Sequence, residues 1–320
     1  MRSAAVSAFE DTHPWVEQLT SFRGPYEPAF AKKLNEVIET LWDKRGKRLR
    51  PHLVYWFGKL FQVKAEDLSL YAWAAEAVHT ATLLHDDVID EASLRRGGPS
   101  ANCLYDNTLP ILAGDYLISD VIYQLASKGD RKLLCRLSQT LRDLCSGECL
   151  QYELRYTIPP RPDFFHEIVK KKTTSLFYWC ALVGPVLAKA SFNERIFAYI
   201  EPLGLLFQMS DDLLDVVGTR SKDSWNDLKE GRLNFVTWRI VQADATLKEV
   251  VEKEFYKREG TNSLASSFKD SPFFTAIVDM VRKELTDIAS LAEKAAFRLP
   301  SSDIRSALTE LPYLLVDRCL

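Results

Sequence analysis

The 320-residue chain is poor in glycine and proline, with 13 and 14 of them. So little turn chemistry argues against an architecture of many short strands and favours long helices. The chain has no excess of charge. Its 41 basic and 44 acidic residues leave a net charge of −3, which excludes a general attraction to nucleic acid or anionic lipid. Long hydrophobic runs are missing too. The most apolar stretch, 177–188, is short and interrupted by Gly184 and Pro185, so no transmembrane segment is expected. The first residues reach Glu10 and Asp11 without an apolar core, which argues against a secretory leader. The six cysteines are Cys103, Cys135, Cys145, Cys149, Cys180 and Cys319. No second pair or histidine pattern extends Cys145 and Cys149 into a zinc site, so reduced thiols in a cytoplasmic protein are expected.

What the chain does have is one acidic spacing used twice. Asp86-Asp87-Val88-Ile89-Asp90 and Asp211-Asp212-Leu213-Leu214-Asp215 both read D-D-x-x-D, each inside an apolar run. A lone acidic pair four residues apart is ordinary on a solvated helix face. Two copies in apolar surroundings are not, because carboxylates are rarely buried without a partner. On a helix, Asp86 and Asp90 share a face, as do Asp211 and Asp215. Like charges about 6 Å apart repel by roughly 3 kcal/mol at an effective dielectric of about 20. Mg²⁺ is the natural counter-charge, and it binds through a few carboxylates together with substrate phosphates. A phosphate-bearing substrate, held between two helices through metal, is therefore expected.

Apolar residues recur at helical spacing almost throughout. The periodicity predicts helices over 28–43, 51–63, 67–91, 109–127, 131–156, 163–190, 193–218, 233–256, 271–297 and 303–318. Pro51 and Pro110 suit first turns, with Thr108 as a cap for the latter. The 47% hydrophobic fraction can build a sizeable core. No repeat or long linker divides the chain. The expected architecture is all-α: one domain over 1–320, a large antiparallel bundle of about ten or more helices. Ala74, Ala77 and Ala81 recur at helical spacing before the first acidic cluster. Such small residues serve close helix packing or line a hollow, and their spacing leaves both open.

Cations stand near the acidic clusters. Lys47, Arg48 and Arg50 flank a helix start, where backbone N–H groups also attract anions. Arg95 and Arg96 follow the first cluster, Lys222 follows the second, and Lys170, Lys171 and Lys172 precede Thr173 and Thr174. Singly, each is an ordinary surface charge. Beside two metal-type clusters they suit phosphate oxygens, arginine as a planar fork and lysine as a point charge.

These stretches, in this order, resemble the trans-isoprenyl diphosphate synthases of the polyprenyl synthetase family. The matching segments are GKRLRP (46–51), HTATLLHDDVIDEASLRRG (79–97), AGDYLIS (113–119), GECLQ (147–151), KKTTSLF (171–177), FQMSDDLLD (207–215) and NDLKEGR (226–232). The resemblance implies an all-α isoprenoid-synthase fold around a central apolar cavity, and about three Mg²⁺ ions. It also implies a reaction: an allylic diphosphate ionises, isopentenyl diphosphate attacks the cation, and a proton is lost. By that resemblance Asp86, Asp90 and Asp211 are the principal metal ligands, supported by Asp87, Asp212 and Asp215. Arg95, Lys172 and Lys222 hold the allylic diphosphate. Lys47, Arg50, His79 and Arg96 form the isopentenyl diphosphate pocket, and Thr173 and Gln208 lie beside the reacting carbons.

In the family, bulky residues just before the first cluster floor the pocket and stop elongation. Here those positions hold Thr82 and Ala81, with Val78, Ala77 and Ala74 further down. A long product of about five or more isoprene units is expected, since each open helical turn adds about 5.4 Å. Tyr123 is the candidate for an aromatic floor from a facing helix. A homodimer is expected from the same resemblance. Where the family has G-K-P-x-G-x-D-L, this chain has Ser221-Lys222-Asp223-Ser224-Trp225-Asn226-Asp227-Leu228, and Arg232 stands for a usual lysine. Other readings fit less well. A short-chain farnesyl or geranylgeranyl synthase differs only in product. A class I terpene cyclase does not need GKRLRP and has a different second cluster. A non-catalytic partner subunit loses acidic clusters. A phosphohydrolase built on His79 and His85-Asp86 leaves Asp211–Asp215 idle.

Overall fold

The structure is a computed structural model that describes residues 3–20, 32–42, 48–95, 98–191, 193–218, 224–258 and 263–317. Helices α1 (Ala4–Thr20), α2 (Lys32–Trp42), α3 (Leu49–Leu60) and α4 (Ala65–Ile89) come first. A two-residue hairpin follows, β1 (Leu94–Arg95) antiparallel to β2 (Gly98–Pro99). Next come α5 (Ala101–Tyr105), α6 (Thr108–Lys128), α7 (Arg131–Glu153) and α8 (Asp163–Val169). A π-helical turn, Lys170–Thr174, joins α8 to α9 (Ser175–Leu187). The chain continues through α10 (Asn193–Val217), α11 (Asn226–Lys229), α12 (Phe235–Ala243), α13 (Ala245–Lys257) and α14 (Leu264–Asp270). It ends with α15 (Phe274–Ala296) and α16 (Asp303–Val316). The all-α expectation holds. Among the described residues the hairpin is the whole of the sheet.

Cα packing divides the chain into two compact units. One comprises Met1–Gln139, Trp179–Asn193 and Pro300–Ile304; the other comprises Thr140–Tyr178, Glu194–Leu299 and Arg305–Leu320. The first is built around α4, whose 25 residues extend about 37 Å. Its alanines favour the helix, and Glu66 and Asp67 in its first turn suit the positive end of the dipole. α4 packs most extensively on α6. Tyr71 accepts a hydrogen bond from the Asp130 backbone at one end of that seam (2.8 Å), and His85 Nε2 lies 3.2 Å from the Ile111 carbonyl oxygen at the other. The approach is close enough that a Cβ on Gly114 would stand 2.2 Å from His85 Nε2. Trp56, Phe57 and Trp73 fill the core beneath.

In the second unit, α10 carries Pro202 within its length and buries Leu203, Leu206, Met209, Leu213 and Val216. Tyr199 sends its hydroxyl to the Leu308 carbonyl at 2.8 Å, and Arg239 makes a two-point pair with Glu284.

Helix boundaries differ from the expected ones where local caps intervene. The stretch 233–256 is two helices because Asp244 adopts an extended backbone and caps α13, accepting from Leu247 N at 3.0 Å. α6 is held at its start by Asp106, which accepts from Thr108 N at 2.6 Å, so Asp106 and not Thr108 supplies the capping oxygen. α1, α5, α11 and α14 were not expected; α5, α11 and α14 are too short to show a full apolar period.

Candidate active site

Within the first unit, the leading acidic cluster closes α4. Asp86 and Asp90 are half-buried, and Asp90 is the helix C-cap. The carbonyl end of a helix is its negative pole, so both carboxylates sit where they are least favoured, by about 0.3–1 kcal/mol each. Asp87 is fully buried and holds Arg95, whose Nε and Nη2 lie 2.6 and 2.5 Å from its Oδ1. The hairpin makes this possible: β1 folds back so that Arg95 returns to α4, anchored by Ala92 N to Asp87 O at 2.9 Å. Asp87 therefore positions a cation as its first task. His79, Thr82 and Leu83 continue the half-buried stripe of Asp86 and Asp90 along α4.

The α3 entrance lies in the same unit. Arg48 takes a left-handed backbone conformation (φ 47°) just before the helix. Its Nη1 reaches the buried Glu76 at 2.8 Å, and its guanidinium lies 5.7 Å from the Trp42 ring centre. His52 Nδ1 sits 2.8 Å from the Arg48 carbonyl oxygen, and burial pulls that imidazole down to about 4. Arg50 is thus presented in the first turn of α3, half-buried, at a positive helix end. Of the remaining expected cations, Lys47, Arg96 and Lys222 lie outside the described residues.

Within the second unit, the other cluster sits in the last two turns of α10 and so repeats the placement. Asp211 is half-buried. Asp212 is buried and turned to α12: its Oδ2 accepts from Phe235 N at 3.2 Å, at the start of that helix, and its Oδ1 from Gln208 Nε2 at 3.0 Å. Asp215 likewise receives Asn226 N at 2.8 Å and Asp227 N at 3.4 Å, at the start of α11. Burial first, then the nearby Asp227, pushes Asp212 up to about 8 and Asp215 up to about 7. The donors are all oxygens, as a hard divalent ion requires. Among the described residues no three His, Cys, Asp or Glu side chains converge to cage an ion alone.

Sequence periodicity read 163–190 as one helix, but the π-turn interrupts it. Ser175 N–H donates to the Lys170 carbonyl, five residues back. Such turns cluster at functional sites, and this one carries Lys172 and Thr173. Thr173 donates to Gln208 Oε1 at 3.1 Å, and Gln208 in turn reaches Asp212. Lys172 Nζ is bound by Gln151 Oε1 at 2.6 Å and by Glu148. Glu148 and Gln151 had no expected role; only their place in the matching segment GECLQ marked them.

The expected elongation pocket differs. Ala74, Ala77, Val78 and Ala81 have no exposed surface, so no water-sized space touches them. Their small side chains serve close helix packing. Thr82, half-buried, lies on the accessible stripe. Tyr123 is 66% exposed on α6, so in the single chain its ring floors nothing.

In the altered loop, Trp225 is buried with φ 65°, its ring 5.8 Å from that of Phe268 and 6.2 Å from that of Phe274. The Trp225 backbone N–H donates to the Asp215 carbonyl at 2.8 Å. The buried ring anchors the loop at this left-handed position. Trp225→Ala is expected to destabilise by about 3–5 kcal/mol, read by chemical denaturation; a loss under about 1 kcal/mol would mean that the ring anchors nothing.

The site thus consists of acidic clusters at the ends of α4 and α10, with Arg95 tethered by Asp87 and Lys172 by Glu148 and Gln151. The model of the polyprenyl synthetase family matches residues 31–267. An all-trans-nonaprenyl-diphosphate synthase of Rhodobacter capsulatus, described as geranyl-diphosphate specific, is 31% identical over 290 residues, covering 88% of each chain. A short-chain isoprenyl diphosphate synthase of Methanocaldococcus jannaschii is 28% identical over 262 residues, 75% of this chain and 79% of that one. Among solved structures, a Caulobacter crescentus polyprenyl synthase complexed with calcium and isoprenyl diphosphate superposes with a TM-score of 0.89 at 28% identity, over 99% of this chain and 98% of that one. The chain belongs to the polyprenyl synthetase family and is a prenyltransferase of the trans-isoprenyl diphosphate synthase class.

Proposed function

We propose that this prenyltransferase makes a long all-trans polyprenyl diphosphate by repeated condensation of isopentenyl diphosphate onto an allylic primer, with Mg²⁺. The observation that carries the reading is the doubled acidic cluster at a helix end: Asp86–Asp90 with Arg95 held by Asp87, and Asp211–Asp215 with Gln208 linking Asp212 to Thr173, the neighbour of the tethered Lys172. Long product is favoured by the nonaprenyl relative and by the small Thr82 on the open stripe of α4; the short-chain relative keeps the shorter product as the second reading.

In each cycle the allylic C–O bond breaks and its electron pair leaves with diphosphate. The double bond of isopentenyl diphosphate supplies the electrons of the new C–C bond, and a proton is lost to restore an alkene. Asp86 and Asp90 in the first unit and Asp211 in the second would be the principal ligands of Mg²⁺, which would supply charge neutralisation for the departing diphosphate. Asp87 holds Arg95 in place, and Asp212 and Asp215 fix the starts of α12 and α11. Arg95 and Lys172 take up charge on the allylic diphosphate, with Lys222 in the same role. Arg50 and His79 bind isopentenyl diphosphate, together with Lys47 and Arg96. The Thr173 hydroxyl and Gln208 orient polar atoms beside the cation, and the apolar surroundings keep water out.

Both units act as one catalytic domain, and two copies act as a homodimer in the cytoplasm. Exposed Leu112, Ile122 and Tyr123 on α6 support a partner surface, and the five described free cysteines a reducing compartment. Incubating the protein with MgCl₂, labelled isopentenyl diphosphate and geranyl, farnesyl or geranylgeranyl diphosphate should yield extended prenyl diphosphates. Conversion of primer to hydrocarbon without uptake of label would instead identify a cyclase. Sedimentation of a fully active species near 36.5 kDa would remove the dimer.

A further inference from the structure

We propose that Gly147, Glu148 and Gln151 form a cradle for Lys172, in which Glu148 competes with diphosphate for the ammonium and so governs diphosphate release after each condensation. The inference rests on the role given above to Lys172. The segment GECLQ lies in the last two turns of α7, and its three polar or glycine positions meet the π-turn together. A Cβ on Gly147 would stand 2.8 Å from both Lys171 Cβ and Lys172 Cγ. The missing side chain is what allows α7 this close to the lysines. Glu148 and Gln151, three residues apart and on one helical face, then converge on a single atom, Lys172 Nζ.

The arithmetic of donors gives the function. A lysine ammonium has three N–H donors and no acceptor. One is directed at Gln151 Oε1, one at Glu148, and the third remains for a phosphate oxygen. The two holders remove most of the rotamer freedom a free lysine would lose on binding. They have opposite electrostatic effects, however. Gln151 is neutral and only positions. Glu148 carries a negative charge that offsets the lysine's and repels a diphosphate bound beside it. Half-buried, with side-chain exposures of 16% for Glu148 and 23% for Lys172, the pair is shielded enough for that repulsion to be felt. A chain-elongating enzyme must let diphosphate go many times per product, and a built-in competitor at its anchoring lysine meets that need.

Calorimetric titration of the full-length enzyme with inorganic diphosphate in MgCl₂ tests this. In Glu148→Gln the dissociation constant should fall about tenfold, since the amide keeps the contact and loses the charge. Glu148→Asp, which keeps the charge, should stay within about threefold of the parent, and kcat of Glu148→Gln should fall as release slows. In a Lys172→Ala background the Glu148→Gln effect should shrink to about twofold or less. An unchanged or weakened affinity in Glu148→Gln, or the same tenfold gain without Lys172, overturns the proposal. If Lys172→Ala alone leaves diphosphate affinity and the allylic KM unchanged, the role of Lys172 falls, and this proposal with it. A clear Lys172→Ala defect beside an inert Glu148→Gln removes only the proposal.

Discussion

Asp86→Asn and Asp211→Asn are each expected to lower turnover about a thousandfold while the metal-free protein melts no lower than the parent. Each acid is a metal ligand in the proposed mechanism, and losing about 4 kcal/mol of transition-state stabilisation gives that factor. The stability half of the expectation comes from placement. Both acids lie near the C-terminal end of a long helix, beside other carboxylates and at the negative pole of the dipole. Removing one charge there relieves repulsion from the neighbouring carboxylates and from the helix end. Steady-state assay at saturating MgCl₂ and thermal melting without metal read the two halves. Retention of more than about a tenth of parental turnover in either variant would remove that residue from the metal set.

Thr82→Phe is expected to shorten the product sharply without lowering stability, and Ala81→Phe to behave differently. Thr82 lies one turn, about 5.4 Å, below Asp86 on the half-buried stripe, so a ring there enters accessible space. Ala81 has no exposed surface. A ring at Ala81 must force neighbours apart, at a cost of about 1–3 kcal/mol, before it meets any product. Reversed-phase chromatography of the dephosphorylated products, with a melting curve for each variant, separates the two. An unchanged distribution in Thr82→Phe would show that the growing chain does not follow this stripe.

The acidic clusters, their shared faces and the helical character of the chain were legible in the sequence because each depends on spacing within one helix. Asp86 and Asp90 are neighbours whatever α4 packs against. The family, too, could be read from ordered local motifs. What spacing could not assign was the partner of each group. That Asp87 is spent on Arg95 follows from a two-residue hairpin that turns the chain back on α4. That Asp212 and Asp215 hold the starts of α12 and α11 follows from where the chain returns, 11 to 23 residues later. Glu148 and Gln151 meet Lys172 across 21 residues or more, through a glycine gap and a π-turn that periodicity reads as ordinary helix. The alanine stripe shows the limit most plainly. Spacing leaves packing and hollow equally open for Ala74, Ala77 and Ala81. Only the neighbour decides, because a small side chain creates space or removes it according to how near the next backbone comes.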